Sequence, residues 1–189
     1  MNDIEIELQL KIEHTESLRQ FLKEKADFIH DVIQIDTYYI PEHRNFLAVD
    51  PVEEWLRLRE QGDRYSITCK NWHFDQDGKS HYCDEYETDI GSKEQLSKIF
   101  NVLNMKIVAT VNKKRSIWNY EDFEIALDQV KGLGDFLEIE YKGKDTDVLQ
   151  VRNTMLNFIK RFDCGKIYAN NRGYPFMILF PERVELEEL

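Results

Sequence analysis

The sequence predicts an α+β fold, mostly antiparallel strands with two or three helices packed against them. Three observations carry that expectation. Residues 4–12 alternate strictly, with Ile4, Ile6, Leu8, Leu10 and Ile12 set against Glu5, Glu7, Gln9 and Lys11. Later segments carry apolar residues at helical spacing or a capping signal. On most strands, charges of one sign also repeat at every second position.

Each element follows from its own pattern. After the strand at 4–12, a helix is expected from Thr15 to about Phe28, where Leu18, Phe21, Leu22 and Ala26 share a face. Strands are expected near 31–40, 53–60 and 64–71, the last two joined by a turn at Glu60-Gln61-Gly62-Asp63. Residues 72–80 read as a polar stretch turning at Asp77-Gly78, followed by a strand at 81–89. Ser92 with Gln95 three positions on is a capping-box pattern and opens a helix reaching Asn104. Strands near 106–119, 122–130 and 135–142 follow, with Gly132-Leu133-Gly134 as a tight connection. Asp145 to Phe162 reads as the last helix, and the acidic stretch after Pro181 as a frayed tail.

A chain of 189 residues fits one ordinary domain, here expected over 1–180 with a tail at 181–189. Its 36 acidic side chains against 25 Lys and Arg leave a net charge of -11, which argues against a nucleic-acid or anionic-membrane binder. No apolar run approaches the ~20 residues of a membrane helix. Three scattered cysteines (Cys69, Cys83, Cys164) make no disulfide framework, so a reduced cytoplasmic setting is expected.

The polar faces hold the functional signal. Arg57 pairs with Arg59, Glu85 with Glu87, Lys113 with Arg115, and Glu138 with Glu140; Lys70 shares a face with Arg64, Ser66 and Thr68, and Glu124 and Asp128 flank Ala126. A solvated sheet face is one explanation. The other is that the helices cover the apolar faces, so that the charges point into a barrel wide enough to stay wet. Clustered carboxylates and clustered guanidiniums would then suit divalent cations and a polyphosphate.

In order along the chain, the strand Glu5-Ile6-Glu7-Leu8-Gln9-Leu10-Lys11, then Trp55-Leu56-Arg57-Leu58-Arg59, Thr68-Cys69-Lys70, Asp84-Glu85-Tyr86-Glu87-Thr88, Lys113-Lys114-Arg115 and Leu127 to Glu140 resemble the CYTH superfamily, the triphosphate tunnel metalloenzymes. The segment Val130-Lys131-Gly132-Leu133-Gly134-Asp135-Phe136-Leu137-Glu138-Ile139-Glu140 looks most like the branch of class IV adenylyl cyclases. The resemblance implies an eight-stranded antiparallel barrel forming a tunnel, with helices outside. It implies that Glu5, Glu7 and Glu140 hold Mg²⁺ or Mn²⁺, and that Lys11, Arg57, Arg59, Lys70, Lys113 and Arg115 grip the triphosphate. Asp128, Glu138, Glu85 and Glu87 are the implied catalytic carboxylates, the last two binding a second metal or orienting the basic residues. Implied partners are ATP, inorganic triphosphate or thiamine triphosphate, and a homodimer is compatible with the family. Gln9 departs from the pattern, because the family signature usually has Lys there.

Hydrolysis of a triphosphate and cyclisation of ATP both rest on positioning and electrostatics, so the phosphate-binding residues leave the two open. Hydrolysis needs no base pocket and is favoured on that ground; a metal-free polyanion-binding module is a third reading. His73, His81 and Cys83 match no zinc spacing, and Asp75-Gln76-Asp77-Gly78 lacks the Glu a calcium loop needs. Tyr38, Tyr39, Trp55, Tyr65, Trp118 and Phe136 read as packing residues.

Overall fold

The computed structural model describes residues 4–145 and 147–189. In chain order the elements are β1 (Ile4–Glu5), β2 (Glu7–Ile12), α1 (Glu16–Lys25), β3 (Asp27–Pro41), β4 (Glu54–Gln61), β5 (Arg64–Phe74), β6 (Ser80–Ile90), α2 (Lys93–Val102), β7 (Met105–Tyr120), β8 (Phe123–Val130), β9 (Gly134–Tyr141), α3 (Val148–Ile159), β10 (Ile167–Ala169), α4 (Gly173–Leu179) and β11 (Glu187–Glu188). The α+β class is as expected. Among the described residues the sheet has eleven strands ending in β1 and β11, in place of a closed ring of eight. The surplus arises because the first expected strand breaks at Ile6 and because β10 and β11 are too short to show alternation. β11 pairs with Tyr168 and Ala169, so the acidic tail is anchored there. Among the described residues no helix is long and apolar enough to cross a membrane.

The chain divides into two compact units. One is built from Ile33–Lys113 and Arg172–Val184, the other from Glu5–Val32, Lys114–Asn171 and Glu185–Leu189.

In the second unit, β2 pairs with β9 so that Leu8 faces Ile139 and Leu10 faces Leu137; β9 pairs with β8 so that the same two residues face Ile125 and Leu127. All six are buried, and α3 packs against β2 and β9, burying Val151, Met155 and Ile159. Burying a side chain of this size stabilises by about 1.5–3 kcal/mol, which explains why the apolar faces lie under the helix and the charged faces lie opposite. Asp147 begins α3 by accepting a hydrogen bond from the Gln150 backbone N–H at 3.1 Å. The β8–β9 connection needs its glycines, since Gly132 and Gly134 sit at φ of 83° and 99°. Phe21, Tyr120, Phe158 and Phe162 make edge and tilted ring contacts at 5.0–5.9 Å between centroids.

In the first unit, α2 lays Phe100 against Tyr39 and Leu58, with Leu56, Ile67, Ile90, Leu96 and Met105 around them. Ser92 caps α2, its Oγ accepting from the Gln95 N–H at 3.2 Å. β5 runs to Phe74, so Trp72 and His73 lie within a strand and the expected polar stretch shrinks to a turn. Asp75 closes that turn by accepting from the N–H groups of Asp77 and Lys79.

Candidate phosphate and metal sites

Residues that are direct partners in an antiparallel pair point to the same side of the sheet. In the first unit the registers of β3 to β6 therefore stack rows of side chains opposite the α2-covered face. One row is Asp36, Arg59, Ser66 and Asp89; the next is Tyr38, Arg57, Thr68 and Glu87; then come Trp55, Lys70 and Glu85, and last Trp72 and Cys83. Arg59 donates from Nε and Nη2 to the two carboxylate oxygens of Asp36, each at 2.7 Å. Arg57 donates to Thr68 Oγ1 at 2.9 Å and to Glu87 at 3.2 Å, and lies 3.6 Å from Glu85 and 3.9 Å from Asp36. Its buried Nε has no hydrogen-bond partner among the described residues. Lys70 stands 3.7 Å from Glu85. Lys113 is buried, with Nζ 5.1 Å from the ring centre of Tyr174 on α4.

These contacts set the protonation states. Burial alone would raise Asp36, but the charge and hydrogen bonds of Arg59, aided by Arg57 and Lys113, hold its carboxyl well below the usual range. Burial opposes the charge on Arg57, yet Asp36, Tyr38, Glu85 and Glu87 together hold it protonated even more firmly than usual. Tyr38 is pushed up to about 12, first by burial and then by Asp36.

The second unit builds a different cluster. Register across β2, β9 and β8 aligns Glu7, Glu140 and Glu124 in one row, Gln9, Glu138 and Ala126 in the next, and Lys11, Phe136 and Asp128 in a third. Arg115 clasps Asp128 with Nε at 2.7 Å and Nη2 at 2.5 Å, and Nη2 also donates to Glu138. The other oxygen of Glu138 accepts from Gln9 Nε2 at 2.7 Å, while Gln9 Oε1 accepts from Asn170 Nδ2. Lys11 Nζ lies 5.8 Å from the Phe136 ring centre. Glu140 is raised to about 7, first by burial and then by Glu5, with Glu124 adding to the repulsion and Lys142, its ion-pair partner, opposing it.

The expected phosphate-binding residues thus divide, Arg57, Arg59, Lys70 and Lys113 lying in the first unit and Lys11 and Arg115 in the second. Of the expected metal ligands, Glu7 and Glu140 are register partners, and Glu5 acts on Glu140 through its charge. Of the expected catalytic carboxylates, Glu85 and Glu87 surround Arg57, whereas Asp128 and Glu138 are tied to Arg115. Sequence reasoning missed Asp36, Asn170 and Tyr174, and left Glu124 as part of a polar face. Asp36 had a signal: Gln34, Asp36 and Tyr38 put polar groups at every second position of an otherwise apolar strand, and Gln34 and Asp36 are buried.

Oxygen donors from Glu5, Glu7 and Glu140 suit a hard divalent cation, and a carboxyl raised by its like-charged neighbours is one that such an ion would relieve. Among the described residues, no three His, Cys, Asp or Glu side chains converge closely enough to form a finished metal cluster. His73 instead pairs with Asp84 at 2.8 Å and stacks on Tyr82 at 4.3 Å.

A Methanocaldococcus jannaschii protein provisionally named an adenylate cyclase is 32% identical over 173 residues, 90% of this chain and 96% of its own. A solved structure from Pyrococcus horikoshii matches with a TM-score of 0.74 at 25% identity, covering 94% of this chain and 99% of the other. A Hippeastrum protein, provisionally named an adenylyl cyclase and described as having a dominant triphosphatase activity, matches with a TM-score of 0.65 at 16% identity, covering 96% and 97%. Residues 3–167 match the CYTH domain, and the chain belongs to that family.

Proposed function

We propose that this protein is a metal-dependent enzyme that hydrolyses inorganic or organic triphosphates. The observation that carries the reading is the carboxylate row of Glu7, Glu140 and Glu124, in which repulsion and burial raise Glu140 to about 7. Such a row favours a bound divalent cation over a bare face. Glu5, Glu7 and Glu140 would hold Mg²⁺ or Mn²⁺, which when bound supplies charge neutralisation to the phosphate oxygens.

The chain's own groups do the rest. Arg57, Arg59, Lys70 and Lys113 supply the first unit's positive charge for a polyphosphate, and Lys11 and Arg115 supply that of the second unit. Glu85 and Glu87 orient Arg57 and Lys70; Asp128 and Glu138 orient Arg115.

A second reading is cyclisation of ATP, favoured by the provisional name of the M. jannaschii relative. One incubation tests both. ATP and inorganic triphosphate are offered together with Mg²⁺ or Mn²⁺, and the products are separated by chromatography. Orthophosphate released from either substrate without cyclic AMP supports the hydrolase. Cyclic AMP with pyrophosphate overturns it in favour of the cyclase, and no product from either overturns both in favour of a silent phosphate-binding module.

A further inference from the structure

The row beyond Lys70 holds Trp72, a half-buried aromatic that shares this face with the arginines. Trp55 and Cys83 are buried, whereas Trp72 is partly open to solvent. Trp72 lies two residues past Lys70 and four past Thr68 on β5, on the same side as both. At the rise of a strand these steps are about 7 and about 13 Å. The same face therefore passes from the arginines of β4 through Lys70 to an indole. Lys70 joins the two ends, since its ammonium pairs with Glu85 and also lies 5.4 Å from the Trp72 ring centre.

A bare inorganic triphosphate has no use for such a gradient, because every part of it is charged. An extended nucleoside triphosphate matches it: phosphates at one end, a flat apolar base at the other, and the ribose between. Indole offers a broad face for stacking, and stacking is tolerant of base identity because every base has a π face. A lysine beside the ring sits where the phosphate nearest the ribose would come.

We propose that Trp72 is a base-stacking residue that gives this chain a preference for nucleoside triphosphates over inorganic triphosphate. The inference rests on the phosphate-binding reading of the Arg57 cluster and adds the substrate class. Phosphates lie on the rows of Arg57 and Lys70, and the base lies along the strand at Trp72.

The test is calorimetric titration of the full chain with ATP and, separately, with inorganic triphosphate, both without divalent metal so that neither is turned over. Trp72→Ala and Trp72→Phe are compared with the parent protein. In Trp72→Ala the affinity for ATP falls about tenfold relative to that for inorganic triphosphate, a value within the range of one lost stacking contact. Trp72→Phe keeps most of the ratio, because a smaller aromatic still stacks, and this variant guards against a general loss of fold. A ratio unchanged in both variants overturns the role of Trp72 while leaving phosphate binding intact. A parent protein that binds neither ligand, or an Arg57→Ala variant that binds both as tightly as the parent, overturns the phosphate-binding reading and this inference with it.

Discussion

Asp36 and Glu140 are both carboxylates in sheet interiors, yet burial has opposite outcomes for them. Asp36, only 1% exposed, sits on a bidentate arginine with two more cations in range, and its carboxyl is held well below the usual range. Glu140 has two carboxylates against one lysine, and is raised to about 7. The same desolvation acts on both, so the local count of cations decides the sign. The first cluster carries its own counter-charge; the second is short of it. That deficit is the physical case for a metal in the second unit, and the surplus of cations around Asp36 is the case for phosphate in the first.

The largest effect should come from breaking a completed pair. Arg115→Ala removes the bidentate clasp on Asp128, whose side chain is 0% exposed, and one of the partners of Glu138. Removing one partner of a buried ion pair costs about 3–5 kcal/mol, and urea unfolding should show a loss of that order. A loss under about 1 kcal/mol would mean that water already reaches Asp128 and that the second cluster is less dry than Glu140 implies.

Next comes Arg57→Ala, which deletes a cation tuned for an anion. Hydrogen bonds to charged groups contribute about 1.5–3 kcal/mol, so the dissociation constant for inorganic triphosphate should rise roughly 10- to 100-fold with the fold retained. Equal affinity in the variant would place phosphate elsewhere and remove the contrast between the clusters.

The pH dependence of stability separates the two carboxylates by sign. The depressed Asp36 contributes stability that is complete above the ordinary carboxylate range and is lost as pH falls through its folded value. The raised Glu140 does the reverse: without metal, folding weakens as pH climbs from the ordinary glutamate range towards about 7. Urea midpoints followed from below the ordinary carboxylate range up to about pH 7 should lose their acid limb in Asp36→Asn and their upper limb in Glu140→Gln. Added Mg²⁺ or Mn²⁺ should reverse the upper limb in the parent protein, because the ion requires the ionised form.

Much of this was legible one strand at a time. Alternation alone placed Glu7, Gln9 and Lys11 on one face, and Arg57 with Arg59 on another. The rows were not legible, because a row is set by register between strands, as with Glu124 opposite Glu140. Asp36 was lost because its partner lies 23 residues away, so its alternation with Gln34 and Tyr38 did not point to a charged cluster. Trp72 was lost to a loop assignment: the polar residues after it masked a strand that continues to Phe74. α4 escaped because seven residues beginning Gly173-Tyr174-Pro175 are too few for helical spacing to declare itself.

The smallest effect concerns Gln9, where the family signature has Lys. A lysine there would add a charge, and on charge alone it should tighten phosphate binding. The structure argues for less. Gln9 donates to Glu138 and accepts from Asn170, a residue 161 positions away that is itself 5% exposed. Lysine can replace the donor but has no acceptor, so Gln9→Lys leaves the Asn170 amide without this partner and offsets part of the electrostatic gain. The single variant should change the dissociation constant for inorganic triphosphate less than about threefold, a fraction of the net worth of one hydrogen bond. Pairing it with Asn170→Ala, which removes the stranded donor, should release a larger gain. If Gln9→Lys alone tightens binding tenfold, the Asn170 contact imposes no constraint, and the second cluster accepts cations more freely than its hydrogen bonds suggest.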